Sequence, residues 1–204
     1  MIDYGVTTVI DLRAKSEVKG SPGPPFSDFQ SSSPISPPQT GAENGFPVYL
    51  NLPLVDDKTA AVLNQAPTMP ERYMLMVDRR QAAFGAIFRA IAEAEGPVLF
   101  HCFAGKDRTG LVAAMVLSLA GVEPEAIGAD YAETDAQLAS RYTEWLAKAA
   151  PERLEQMRDE LRCPPEWMLR TLEHVEQTWG GVDSYLEAAG VTPENIDRLR
   201  AKLS

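Results

Sequence analysis

The chain has 204 residues, 45% of them hydrophobic, and a formal net charge of −10. That length supports one domain with a real core, and the acidic balance argues against broad binding to nucleic acid or anionic lipid. No apolar run approaches the ~20 residues of a membrane span, so stable membrane insertion is not expected.

The N-terminus carries no basic-then-apolar leader pattern, and two cysteines, Cys102 and Cys163, are too few for a disulfide framework. A reduced, cytoplasmic setting is therefore expected, with export by a route lacking a signal peptide left open. Nothing in the sequence fixes the oligomeric state.

Val6 to Leu12 is rich in β-branched residues and reads as a buried strand. Residues 20–47 are crowded with proline, serine and glycine, which predicts a long loop with no packed element. Val48 to Leu54 reads as a second strand, stopped at Pro53. Pro70 to Glu95 carries Met74, Val77, Phe84, Ile87, Phe88 and Ile91 at helical spacing, predicting one long amphipathic helix. Gly96-Pro97 ends it, and Val98-Leu99-Phe100 forms a short strand. Thr109 to Ala120 is apolar nearly all round, as a central buried helix would be. Gly121 closes it and Pro124 opens the next. Residues 124–204 read as helices separated by Pro151, Pro164-Pro165, Gly180-Gly181 and Gly190. The order predicts one α/β domain over residues 1–204, with a central, mostly parallel sheet and a helical C-terminal part.

The richest stretch is His101 to Gly110, with five residues between Cys102 and Arg108. It links a strand to a buried helix, so its backbone N–H groups meet the positive end of a helix dipole. The same field favours a thiolate at Cys102. Cys102 is the candidate nucleophile, and Arg108 supplies a planar fork for two phosphate oxygens. Backbone amides of Phe103, Ala104, Gly105 and Lys106 are candidate phosphate donors, Gly105 letting the chain turn inward. Thr109 either caps the helix or donates to the thiolate, and His101 either orients the loop or is a structural histidine. A leaving alkoxide needs a proton. Asp107 is the nearest acid; Asp56 and Asp57 are the alternatives, and Asp107 could instead pair with Lys106 or cap the helix. The chemistry implies no cofactor and no metal.

His-Cys-(five residues)-Arg-Thr-Gly resembles the signature of the protein tyrosine phosphatase superfamily, and the full stretch is similar to its bacterial atypical branch of dual- and triple-specificity enzymes. Val9-Ile10-Asp11-Leu12-Arg13, with Glu17 beyond, resembles that branch's Asp-Leu-Arg strand end, and Val182 to Leu203 its C-terminal helices. The resemblance implies a central sheet flanked by helices, a Cys102 nucleophile, an Arg108 clamp and Asp107 as acid. It places Lys106 where phosphoinositide phosphatases carry lysine, and Asp11 and Arg13 either at the site rim or as a plain strand-end pair. It also implies a lid from helices between Glu133 and Cys163. The chain begins at Met1, almost on the Asp-Leu-Arg strand, without the branch's preceding segment, so a sheet edge is expected to lie uncovered.

The resulting expectation is a phosphatase acting on phosphotyrosine, with phosphoserine, phosphothreonine or phosphoinositides as further substrates. Two rivals stand beside it. One is a phosphoprotein-binding domain with weak turnover; the other is a different thiolate enzyme, a sulfurtransferase or an arsenate reductase using Cys163 as resolving thiol.

Overall fold

In a computed structural model, residues 5–20 and 47–203 are described. The expected proline-rich loop at 20–47 lies almost wholly outside them. β1 (Thr8–Asp11), β2 (Val48–Asn51) and β3 (Val98–His101) form a parallel sheet in the order β2-β1-β3. Every residue of β1 is buried, which explains its unbroken apolar character as the middle strand of a covered parallel sheet. The register aligns Asn51, Asp11 and His101 at the carboxyl ends of the three strands. Open parallel sheets bind ligands at that edge, and the Cys102 loop leaves from it.

The helices are α1 (Lys15–Gly20), α2 (Asp57–Leu63), α3 (Met69–Arg79), α4 (Gln81–Glu93), α5 (Asp107–Leu119), α6 (Pro124–Ala147), α7 (Leu154–Leu161), α8 (Pro165–Trp179), α9 (Val182–Ala188) and α10 (Pro193–Leu203), with a short 3-10 turn at Pro151–Arg153. The α/β class and the helical C-terminal part agree with the sequence reading. None of the described helices is long and apolar enough to cross a membrane.

The sequence reading places no helix at α1 or α2, and one element it does place differs. The single helix expected over Pro70 to Glu95 is two, α3 and α4, parted at Arg80, whose backbone leaves the helical region (φ −118°, ψ 23°). The Arg80 guanidinium binds the Leu54 carbonyl (2.7 Å) and the Asp56 carboxylate (2.7 Å), tying the break to the start of α2. The bend lets α3 pack on α8 while α4 packs on α9 and α10. Both halves keep helical spacing, so periodicity does not reveal the change of direction. α5 sits at the centre, with Leu111, Val112, Ala114, Met115 and Leu119 buried.

Candidate active site

β3 ends at His101, Cys102 to Lys106 form the loop, and α5 begins at Asp107. Gly105 adopts φ +77°, a left-handed turn that glycine enters without strain, and a Cβ there would point into open space. The first intrahelical bond runs from the Gly110 amide to the Lys106 carbonyl (2.7 Å), leaving earlier amides without intrahelical acceptors. Cys102 is buried at the loop's start.

Arg108, in the first turn of α5, is gripped by Glu17 of α1. Its two terminal nitrogens donate to the two carboxylate oxygens at 2.6 and 2.8 Å. Burial alone would lower the Arg108 pKa; the Glu17 hydrogen bond and the negative charges on Cys102, Glu17 and Asp107 raise it on balance. Burial pushes the Glu17 carboxyl up, but Arg108 and the Ala14 amide (2.8 Å) hold it below the usual carboxylate range.

Asp107 faces a cleft of 230 Å³ walled by α2 and α3, which Glu17 and Arg108 also line. Its other walls include Val55, Leu63, Met69 and Met76, with Arg72 as a further cation. Tyr73 donates its hydroxyl to Asp107 Oδ1, and Lys106 Nζ lies 3.4 Å from the same oxygen.

Beneath the loop, Asp11 and Arg13 form a buried ion pair at 2.7 Å. Asp11 also accepts from the Arg13 amide (3.0 Å) and the Tyr49 hydroxyl (2.7 Å). Its desolvation is outweighed by these donors, so its pKa lies below the ordinary value. His101 Nδ1 is 3.0 Å from the Cys102 carbonyl and its Nε2 is 4.0 Å from Asp11, linking loop to sheet. Among the described residues no group of three or more His, Cys, Asp or Glu is arranged to hold a metal.

The profile of the tyrosine phosphatase family matches residues 1–204. The chain belongs to the tyrosine phosphatase family. A tyrosine-protein phosphatase of Nostoc commune is 31% identical over 149 residues, covering 67% of this chain but only 49% of that protein's length. The triple specificity protein phosphatase PtpB of Mycobacterium tuberculosis is 30% identical over 230 aligned positions, covering 98% of this chain and 82% of that protein.

In this family member several residues take places the sequence did not foresee. Lys106 is buried, its ammonium donating to the Glu160 carbonyl and lying 5.6 Å from the Trp167 ring. Phe103 is half exposed and stacks on Trp145 of α6 at 6.2 Å, while Ala104 is half-buried. Thr109 does not cap α5, since Lys106 holds the cap position, and its enclosed hydroxyl has no hydrogen-bond partner among the described residues. Asp56 caps α2 through the Thr59 amide (2.8 Å), and Asp57 accepts from Ser16; neither lines the cleft. Tyr73 and Arg72 went unnoticed because a helix-spaced aromatic reads as core and an isolated arginine as surface. Glu17 carried one signal, its place just beyond the Asp-Leu-Arg strand end.

Proposed function

We propose that the chain is a cysteine-dependent phosphomonoester hydrolase acting on protein phosphotyrosine. Phosphoserine, phosphothreonine and phosphoinositides are further candidate substrates. The observation that carries this reading is the meeting of Asp107 and Arg108 on one cleft wall, with the charge of Cys102 close enough to bear on Arg108. The apolar side chains of Val55, Leu63, Met69 and Met76 suit an aromatic ester, and the breadth named for the mycobacterial relative supports testing the other classes.

In this mechanism Cys102 Sγ attacks phosphorus in line, forming an S–P bond as the ester P–O bond breaks. Asp107 delivers a proton to the leaving oxygen, and Arg108 holds the equatorial oxygens where charge spreads. Water then attacks phosphorus, forming a P–O bond as the S–P bond breaks and the Cys102 thiolate is released; Asp107 takes the proton from water, and inorganic phosphate leaves. The arsenate-reductase reading loses support because burial pushes the Cys163 thiol up to about 11, a poor resolving group at neutral pH.

Hydrolysis of a chromogenic aryl phosphate in EDTA tests the proposal. Cys102→Ser is expected to abolish turnover, and retention of full activity would refute the nucleophile. Asp107→Asn is expected to remove the basic limb of the pH–rate profile. An unchanged limb would move the acid role to Asp56 or Asp57. Capture of phosphopeptide by the wild type without turnover would establish a binding domain instead.

A further inference from the structure

Tyr73 is fully buried in α3, its ring set edge-on against Tyr131 (6.2 Å) and Trp167 (6.3 Å). Its hydroxyl contacts Asp107 Oδ1 and stands 2.7 Å from the Tyr131 hydroxyl. A carboxylate can only accept, so Tyr73 donates to Asp107, and Tyr131 in turn donates to Tyr73. Lys106 approaches Oδ1 as well, at 3.4 Å. Oδ2 takes no hydrogen bond from the described residues.

We infer that Tyr73 is a positioning residue for acid catalysis: with Lys106 it occupies Asp107 Oδ1 and so assigns the transferable proton to Oδ2. This rests on Asp107 being the general acid. As the ester bond breaks, the proton passes from Oδ2 to the leaving oxygen and Asp107 becomes a carboxylate. The Tyr73 hydrogen bond then meets a full negative charge and strengthens, since bonds to ionised acceptors are the stronger ones. It therefore stabilises the transition state more than the ground state. Burial and the Asp107 charge raise the Tyr73 pKa well above its ordinary value, so the phenol keeps its proton and remains a donor.

The charged and titratable groups facing Asp107 are Lys106 and Arg108 beside it and Arg72 and Glu17 on the cleft wall, with Cys102 acting on Arg108 from the loop. Tyr131 and Tyr142 reach it electrostatically from α6, and Glu160 of α7 lies beyond Lys106. Tyr73→Phe alters none of these charges and keeps the ring, so what it removes is the hydroxyl, with its bond to Asp107 and the one it accepts from Tyr131.

Two substrates read that loss: a phosphotyrosine peptide, whose leaving oxygen needs a proton, and dinitrophenyl phosphate, whose leaving phenolate does not. Tyr73→Phe is expected to lower kcat/KM, which reads the steps through ester cleavage and not the shared hydrolysis of the cysteinyl-phosphate, about tenfold on the peptide and by less than about twofold on dinitrophenyl phosphate. In an Asp107→Asn background the same change is expected to have no further effect. Equal losses on both substrates would overturn the inference. Should Asp107→Asn itself treat the two substrates alike, the acid assignment fails and the inference with it. Should Asp107→Asn discriminate while Tyr73→Phe does not, Tyr73 alone loses its role. Tyr131→Phe keeps the Tyr73–Asp107 bond but removes the donor into it, and carries the test if Tyr73→Phe does not fold. It is expected to give the same leaving-group pattern with a smaller loss, and an equal loss on both substrates counts against the inference.

Discussion

Glu17 and Arg108 meet through two parallel hydrogen bonds, at 2.6 and 2.8 Å, across 91 positions of sequence. The pair fixes the guanidinium before any substrate arrives, and Glu17 is itself held by the Ala14 amide. Glu17→Gln keeps the shape but loses the charge and turns an N–H group toward the guanidinium. A hydrogen bond to a charged group is worth about 1.5–3 kcal/mol, so kcat/KM on an aryl phosphate is expected to fall about tenfold to a hundredfold. A kcat/KM unchanged in Glu17→Gln would show that the loop alone orients Arg108.

The Glu17 carboxyl has a lowered folded pKa, against an ordinary 4.5. Its contribution to stability is therefore complete above the unfolded value and is lost as pH falls through the lower folded one. Urea titrations of wild type and Glu17→Gln should diverge least at the acid end. A stability gap that widens as pH falls would contradict that sign.

Asp11 is fully buried and collects the Arg13 side chain, the Arg13 amide and the Tyr49 hydroxyl. Asp11→Asn removes the negative charge facing the buried Arg13 guanidinium, and breaking such a pair costs about 3–5 kcal/mol. Tyr49→Phe removes one donor to the carboxylate and should cost about 1.5–3 kcal/mol. Denaturant unfolding checks the order of the two. Because the Asp11 pKa is lowered from 3.8, the wild type should shed this stability as pH falls below that value, and Asp11→Asn should not.

The strands and most helices were legible because burial leaves a periodic trace: β1 is an unbroken apolar run, and Pro124, Gly121 and Gly180 punctuate the helices where backbone geometry requires it. The loop was legible because a cysteine, a glycine and an arginine at fixed spacing between strand and helix have few other uses. What the sequence concealed is contact between distant segments. Nothing local says that Tyr73, 34 positions before Asp107, points at it, or that Lys106 turns inward to the Glu160 carbonyl. The break at Arg80 escaped for the same reason, since its cause is the Leu54 carbonyl and the Asp56 carboxylate on another segment.

Asp56 separates a structural acid from a catalytic one. It accepts from the Thr59 amide and hydroxyl, both at 2.8 Å, and pairs with the half-buried Arg80 while itself remaining partly exposed. Asp56→Ala should cost about 1–2 kcal/mol, from the lost helix cap together with the partly buried pair to Arg80. The pH–rate profile of the folded enzyme should keep its basic limb. Loss of that limb in Asp56→Ala would return the acid role to this residue.

Gly85 and Gly105 are both required, for opposite reasons, and alanine distinguishes them. A Cβ at Gly85 would stand 2.0 Å from the Ala189 carbonyl oxygen, where α4 meets the end of α9. Backbone must move to admit it, so Gly85→Ala should destabilise by about 1–3 kcal/mol while each folded molecule keeps its turnover. At Gly105 there is room for the methyl, and only the +77° φ resists it, at roughly 1–2 kcal/mol. That strain is relieved by rotating the peptide units of the phosphate loop, and misplacing a catalytic group by about 1 Å can cost about a hundredfold in rate. Gly105→Ala should therefore lose activity far beyond its loss of stability. Unfolding curves paired with kcat on an aryl phosphate check both; full activity in Gly105→Ala would show that the loop tolerates a shift of its peptide planes, and lost turnover per folded molecule in Gly85→Ala would contradict the purely structural role of that contact.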